Sequence, residues 1–405
     1  MERIRLLRNP ICEYAWGSRT ALAELLGQPS PSAQPQAELW VGAHPAATSE
    51  VRCDSNWVPL GDWIRRDPEA VLGPDVARRF ADELPFLLKV LAAERPLSLQ
   101  VHPDAARARA GFERENAAGV PLDAPQRCYR DPRPKSELVC ALTPFTALCG
   151  FRPIDDIVAQ VDELRARGLA DLMGGLRNDH SRENLRSFYR HLMELEATAA
   201  AVAVAEAVEA AASGYGDPAV RGWLRKLGEA YPGDPGALAP LFLNLLELRP
   251  GEALYLPVGE LHAYLGGTAV EIMANSDNVL RGGLTAKHVD VAELLATLSF
   301  ASGQPEVLTP RSLGPVETAY ETPAGEFVLG ILRPRPGTSF ESARERSIEV
   351  LLCYEGEAKV EDMKSGEVTA LSRGAAVLVP AASGGYHLHG DAIVFRASVP
   401  ARGEP

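Results

Sequence analysis

Four side chains able to bind a metal stand at the ends of short apolar segments: Gln100 and His102 in PLSLQVHPD, Glu137 in PKSELVCAL, and His262 in GEALYLPVGELHAYL. Leu97, Leu99 and Val101 alternate with Ser98, Gln100 and His102, so Gln100 and His102 share one strand face and can reach the same ion. A carboxylate entering an apolar strand makes Glu137 a third ligand, and His262 a fourth. Two imidazoles, a carboxylate and an amide oxygen suit zinc, and also iron(II) or manganese. Each has an ordinary reading alone: a wet edge strand for Gln100 and His102, a surface ion pair for Glu137, a turn or core residue for His262.

Charged residues in apolar company form a second group. Lys89 lies within PFLLKVL, where an unpaired ammonium is costly, so it must pair with an anion or change its pKa. Residues 251–290 gather His262, Tyr264, Glu271, Asp277, Arg281 and Lys287 among short strands and tight turns. Lysine is scarce, six against thirty-five arginines, yet Lys89, Lys135 and Lys287 fall in these stretches. A compact ammonium with an adjustable pKa is something guanidinium does not supply; coding bias is the plain alternative. Trp16 and Trp40 offer faces for a sugar wall, or serve the core.

These residues need elements to hold them. Gly251, Pro257, Gly259 and His262 are spaced as a strand running into a glycine turn, with His262 opening the next strand. That spacing resembles the second motif of the cupin β-barrels, which implies a histidine pointing into a lumen to bind metal. Residues 1–60 read as short strands, and 61–84 as helix with Trp63, Ile64, Val71, Leu72, Val76 and Phe80 on one face. Residues 84–104 read as two buried strands joined by a short turn, and 105–130 as a surface helix and loop. Helix formers with i, i+3, i+4 apolar spacing fill 153–247, GALAPLFLNLLEL included. Strands return from 325 to 399. There Gly374 and Pro380 echo Gly251 and Pro257, but Gly385 stands where a histidine would fall, with His387 and His389 beyond it. The expected fold is mainly β with an α-helical insert: a discontinuous cupin-type jelly-roll barrel from 1–152 and 248–300 carries catalysis, 153–247 is the insert, and 301–405 is a second, cupin-like barrel without metal. The alternative for that last unit is a separate site on His387 and His389.

Composition bounds the partners. The 405 residues are 46% hydrophobic, enough for several cores, and a formal charge of -13 argues against nucleic acid or an anionic membrane surface. An anionic substrate therefore needs a local basic pocket. Six cysteines without a C-x-x-C pair indicate reduced thiols. MERIRLLRNP lacks a secretory apolar core, and 197–213 is too weakly apolar to span a bilayer. The expectation is a cytoplasmic monomer or weak homo-oligomer.

NPICEYAWGS, AELWVGAHP, PLSLQVHPD, PKSEL, GEALYLPVGELHAYL and VEIMANSDNVLRGGLTAKHVD together resemble the type I mannose-6-phosphate isomerases, zinc-dependent cupin enzymes, over nearly the whole chain. The resemblance implies one Zn2+ per chain on Gln100, His102, Glu137 and His262, an essential arginine at Arg281, and interconversion of mannose 6-phosphate and fructose 6-phosphate. Aldose–ketose isomerisation through a cis-enediolate needs a base, positive charge beside the developing oxyanions, and a phosphate clamp. Glu271 is the first choice for the base, with Lys89 and Lys135 as rivals. Ser98, Lys135 and Lys287 are candidates for phosphate, Arg281 for phosphate or enediolate, and Tyr264 and Trp16 for the sugar. Many relatives carry histidine immediately before the lysine of PKSEL; here it is Pro134, so ring opening falls to Asp277 or water. A non-catalytic sugar-phosphate sensor and an iron-dependent cupin dioxygenase are the competing readings.

Overall fold

Short runs of Val, Leu and aromatic residues cut by Gly and Pro favour strands that are half or fully buried, and strands dominate the result. The computed structural model describes residues 3–401. Among them are two eleven-stranded antiparallel sheets, neither closed on itself, and a helical segment.

The strands that matter for the site are β1 (Glu38–His44), β2 (Phe86–Ala93), β3 (Leu99–Val101), β4 (Glu137–Ala141), β5 (Phe145–Phe151), β6 (His262–Ala274) and β7 (Leu280–Gly283). β6 is the organising strand. Its first half pairs with β5, Cys149 opposite His262 and Ala147 opposite Tyr264. Its second half lies between β2 and β4, with Glu271 opposite Lys89 and Met273 opposite Glu137. The change of partners falls at Gly267, where φ is +110° and an added Cβ would lie 2.5 Å from the Pro144 carbonyl oxygen. Only glycine fits both conditions.

Two expectations for helices need correction. Residues 60–79 form three short helices, Leu60–Arg66, Pro68–Leu72 and Pro74–Arg79, because Pro68 and Pro74 each start a new helix at its first position. They still bury Trp63, Ile64, Val71, Leu72 and Val76. Helices run from Ile154 to Phe242, but Leu243–Leu248 is a strand on the edge of β5, Phe145 opposite Leu248. A short apolar run bounded by prolines suits a buried strand as well as a helix, and the vacant edge of β5 decides. No described helix is long and apolar enough to cross a membrane.

The second sheet is built around Glu349–Asp362 and Tyr386–Ser398, which pair along nearly their whole lengths. The first strand of the chain, Arg5–Arg8, belongs to it, between Ala376–Val379 and Glu50–Cys53. A single core cluster accordingly mixes Leu7, Leu39 and Val90 with Val350, Leu378 and Phe395. His387 and His389 stack with ring centres 5.6 Å apart, and His389 faces Glu361 at 3.5 Å.

Candidate active site

Antiparallel register sets the metal-binding candidates side by side. Gln100 lies opposite His262 on one side and Arg281 of β7 on the other. His102 follows β3, and Glu137 opens β4. Among the described residues, one group of three His, Cys, Asp or Glu side chains is close enough to share an ion: His102, Glu137 and His262, with ligand atoms within 4.8 Å of one another. His387 and His389 join no such group.

The hydrogen bonds fix how this group is protonated. His102 Nδ1–H donates to the Asn278 carbonyl at 2.7 Å, and His262 Nδ1–H to the Glu260 carbonyl at 3.0 Å. Each Nε2 therefore presents a lone pair, and these face the two Glu137 oxygens at 3.2 and 3.4 Å with no hydrogen-bond partner. Lone pairs facing a carboxylate in a dry interior repel unless a cation lies between them. Bonds of about 2.0–2.2 Å to a tetrahedral ion separate donor atoms by roughly 3.3–3.6 Å, close to the spacing here. Burial pushes the His102 imidazolium pKa down to about 4, leaving the neutral, ligating form. Burial opposes charge on Glu137, but the Lys135 ammonium outweighs it and holds the carboxyl well below its ordinary value. These residues fit a divalent cation.

Around this group runs a buried charge network. Lys135 Nζ is 2.8 Å from Glu137 Oε1. Lys89 Nζ is 3.1 Å from Glu271 Oε2 and 3.5 Å from Glu38 Oε1, beside the Trp40 ring. Burial disfavours the ammonium, yet Glu271 and Glu38 more than compensate and raise its pKa, so Lys89 pairs rather than neutralises. Burial raises the Glu271 carboxyl above the usual range, with Lys89 pulling it back. Tyr264 O–H donates to Glu271 Oε1 at 2.9 Å and lies 3.5 Å from Glu137 Oε2. Burial keeps that phenol protonated. One hydroxyl thus bridges Glu271 and the metal-binding carboxylate.

A cleft of about 460 Å³ reaches the site at Gln100, opposite His262, and is lined also by Trp16, Ser98, Arg281 and Lys287. Burial lowers the pKa of both Arg281 and Lys287, and mutual repulsion with Arg130 lowers them further. Among the described residues no salt bridge joins Arg281, Lys287 or Arg130 to an acid, so the first two line the cleft as a basic pocket for an anion, with Arg130 near by. Asp277 lies apart, half exposed, its Oδ1 3.4 Å from the Nε2 of buried His44. His44 Nδ1 accepts from the Ala46 N–H, which leaves its proton on Nε2 toward Asp277.

Sequence reasoning missed Glu38, His44, Arg130 and Asn278. Glu38 and His44 carried a signal, since Glu38, Trp40 and His44 alternate along β1 as Gln100 and His102 do along their segment. Arg130 and Asn278 carried none; neither sits in a regular element.

Residues 4–154 match the catalytic domain of type I phosphomannose isomerase. The mannose-6-phosphate isomerase of Shigella flexneri is 42% identical over 358 residues, covering 87% of this chain and 89% of that protein. The chain belongs to the type I phosphomannose isomerase family. Its bovine relative, also named mannose-6-phosphate isomerase, is 35% identical over 98% of this chain and 96% of its own. A mutant phosphomannose isomerase from Salmonella typhimurium superposes with a TM-score of 0.92 at 37% identity, covering 98% of this chain and all of that one. The Salmonella enzyme bound to its substrate, fructose 6-phosphate, and to zinc superposes with a TM-score of 0.90 over the same shares.

Proposed function

We propose that this enzyme interconverts mannose 6-phosphate and fructose 6-phosphate with a zinc ion at the His102–Glu137–His262 group. The observation that carries the reading is the pair of buried, unpartnered Nε2 lone pairs converging on one carboxylate, in a chain 42% identical to a mannose-6-phosphate isomerase. A zinc ion held by His102, Glu137 and His262 would supply the positive charge that stabilises the oxyanions of the enediolate. Gln100, opposite His262 in register, is the fourth ligand in this reading.

The protein groups divide the remaining work. Arg281 and Lys287, with Ser98, hold the phosphate in the basic cleft; Lys135 keeps Glu137 ionised. Glu271 takes the proton from one carbon and returns it to the neighbouring one, as cis-enediolate transfer requires. Lys89 holds Glu271 charged and Tyr264 orients it. Asp277, paired with His44, serves ring opening where Pro134 has no proton to offer. Trp16 forms one wall for the sugar. The same reading takes 1–152 and 248–300 as a catalytic cupin-type jelly roll that lends Arg5–Arg8 and Glu50–Cys53 to the second sheet, 153–247 as an insert, and 301–405 as a cupin-like unit without metal. An iron oxygenase could use two histidines and a glutamate, but it has no need of the unpaired Arg130, Arg281 and Lys287.

The deciding experiment is a coupled assay for fructose 6-phosphate formed from mannose 6-phosphate, before chelation, after it, and after zinc is restored. Turnover lost with chelator and regained with zinc is the expected result. No turnover in zinc-replete protein refutes the isomerase reading, and recovery with iron alone, accompanied by oxygen uptake, selects the oxygenase.

A further inference from the structure

We infer that Asn278 is a positioning residue, holding His102 through its main chain and the segment leading to Lys135 and Glu137 through its side chain. The inference rests on the zinc site proposed above. Asn278 is fully buried, four residues beyond the end of β6 and two before β7. Its carbonyl accepts the His102 Nδ1–H at 2.7 Å, the bond that turns the Nε2 lone pair toward Glu137. Its side chain spends all its capacity on one loop. Oδ1 accepts the N–H groups of Arg130, at 2.7 Å, and Asp131, at 3.2 Å. Nδ2 donates to the carbonyls of Asp131, at 2.8 Å, and Arg133, at 2.9 Å, and lies 3.3 Å from Asp131 Oδ1.

Two acceptor sites and two N–H groups are all that an amide offers, and the loop uses each. The loop has no ladder of its own, so these bonds, together with those from Ser276 Oγ and the Asp277 N–H to Asp131 Oδ2, decide where residues 130–133 lie. Lys135 and Glu137 follow directly, and Glu137 Oε1 is 3.2 Å from His102 Nε2. The loop also starts with Arg130, whose charge repels Arg281 and Lys287 of the cleft. Asn278 thereby ties together two metal-binding atoms carried on different segments, His102 through its carbonyl and the loop before Glu137 through its side chain. No other short side chain does this: aspartate lacks the two donors, serine lacks the reach, and glutamine is one methylene too long.

Outer groups that orient metal-binding side chains are worth about 10–100-fold in affinity or activity. The test compares wild type with Asn278→Ala and Asn278→Asp, each full length, measuring zinc affinity by competition with a chromophoric chelator alongside thermal unfolding, kcat and KM. The expected result is folded variants whose zinc affinity falls at least 10-fold, Asn278→Asp retaining more because it keeps both acceptor bonds. Wild-type zinc affinity in a folded Asn278→Ala protein, with only a lower Tm, overturns the inference and leaves a structural role. If Asn278→Ala does not fold, the affinity of Asn278→Asp decides by the same criterion: a fall supports the inference, and a wild-type value refutes it. Wild-type protein that binds zinc without isomerising mannose 6-phosphate refutes the proposed function, while the affinity comparison still judges Asn278.

Discussion

Replacing Lys89 by methionine keeps roughly the volume of the side chain and removes its charge from between two carboxylates. At 3.1 and 3.5 Å from Glu271 and Glu38, each pair has a gross attraction of about 5 kcal/mol at an effective dielectric constant near 20, much of it offset by desolvation. What the variant loses is larger than that net, because two buried carboxylates remain without a counter-charge; removing one partner of a buried pair costs about 3–5 kcal/mol. Glu271 responds by binding a proton. Glu271 already sits above the usual carboxylate range through burial, with Lys89 pulling it down, so in Lys89→Met its pKa rises further. The folded variant then binds a proton that the unfolded chain releases, so its stability must fall as pH rises above the ordinary value of 4.5. Activity moves the other way: if Glu271 is the base, the acid limb of kcat/KM shifts to higher pH and turnover recovers as the solution becomes more alkaline. Urea unfolding at pH 5 and pH 8 reads the first effect and a pH–rate profile the second. Adding Glu38→Gln and Glu271→Gln to Lys89→Met should restore much of the lost stability, since neutral groups of similar shape replace the stranded charges. A loss below about 1 kcal/mol at pH 8, or a triple variant no more stable than the single, would show that Lys89 does not neutralise these acids.

Other substitutions probe separate parts of the site. Tyr264→Phe removes the 2.9 Å hydrogen bond to Glu271; a cost of about 1.5–3 kcal/mol and lower kcat at unchanged zinc content are expected, and calorimetry showing no loss contradicts the role. Arg281→Ala should keep the fold and the zinc yet lose most turnover, with near-normal rates in the coupled assay ruling out its part in catalysis. Glu137→Gln should release zinc on dialysis against chelator, because the two imidazoles lose the anion they converge on; full zinc content by elemental analysis would contradict the ligand assignment.

The parts of the site that were readable from sequence are those in which a polar residue interrupts a strand pattern. Gln100 and His102 alternate with Leu99 and Val101, and Lys89 breaks an apolar run, so each announced that it must have a partner. The partners were harder to name. Glu38 answers Lys89 from a strand about fifty residues away, and only the register of β1 with β2, Trp40 opposite Lys89, joins them. Asn278 was invisible for a different reason: its bonds run to main-chain groups, whose positions leave no trace in the identities of residues 130–133. The LNLLEL segment misled because its apolar residues satisfy either period, and the choice rested on the edge offered by β5.

The pairing of Arg5–Arg8 with Ala376–Val379 bears on how the chain is made. About 370 residues separate the two strands, so the earlier one finds this neighbour only after that length of chain has been made. At 5–20 residues per second that delay is roughly twenty to seventy seconds. Leu7 meanwhile lacks the core it shares with Leu378, so the earlier strand is exposed to wrong pairing over that interval. Truncation just before Ala376 should leave a product that stays open to chaperones and proteases, even though every residue proposed for catalysis is present.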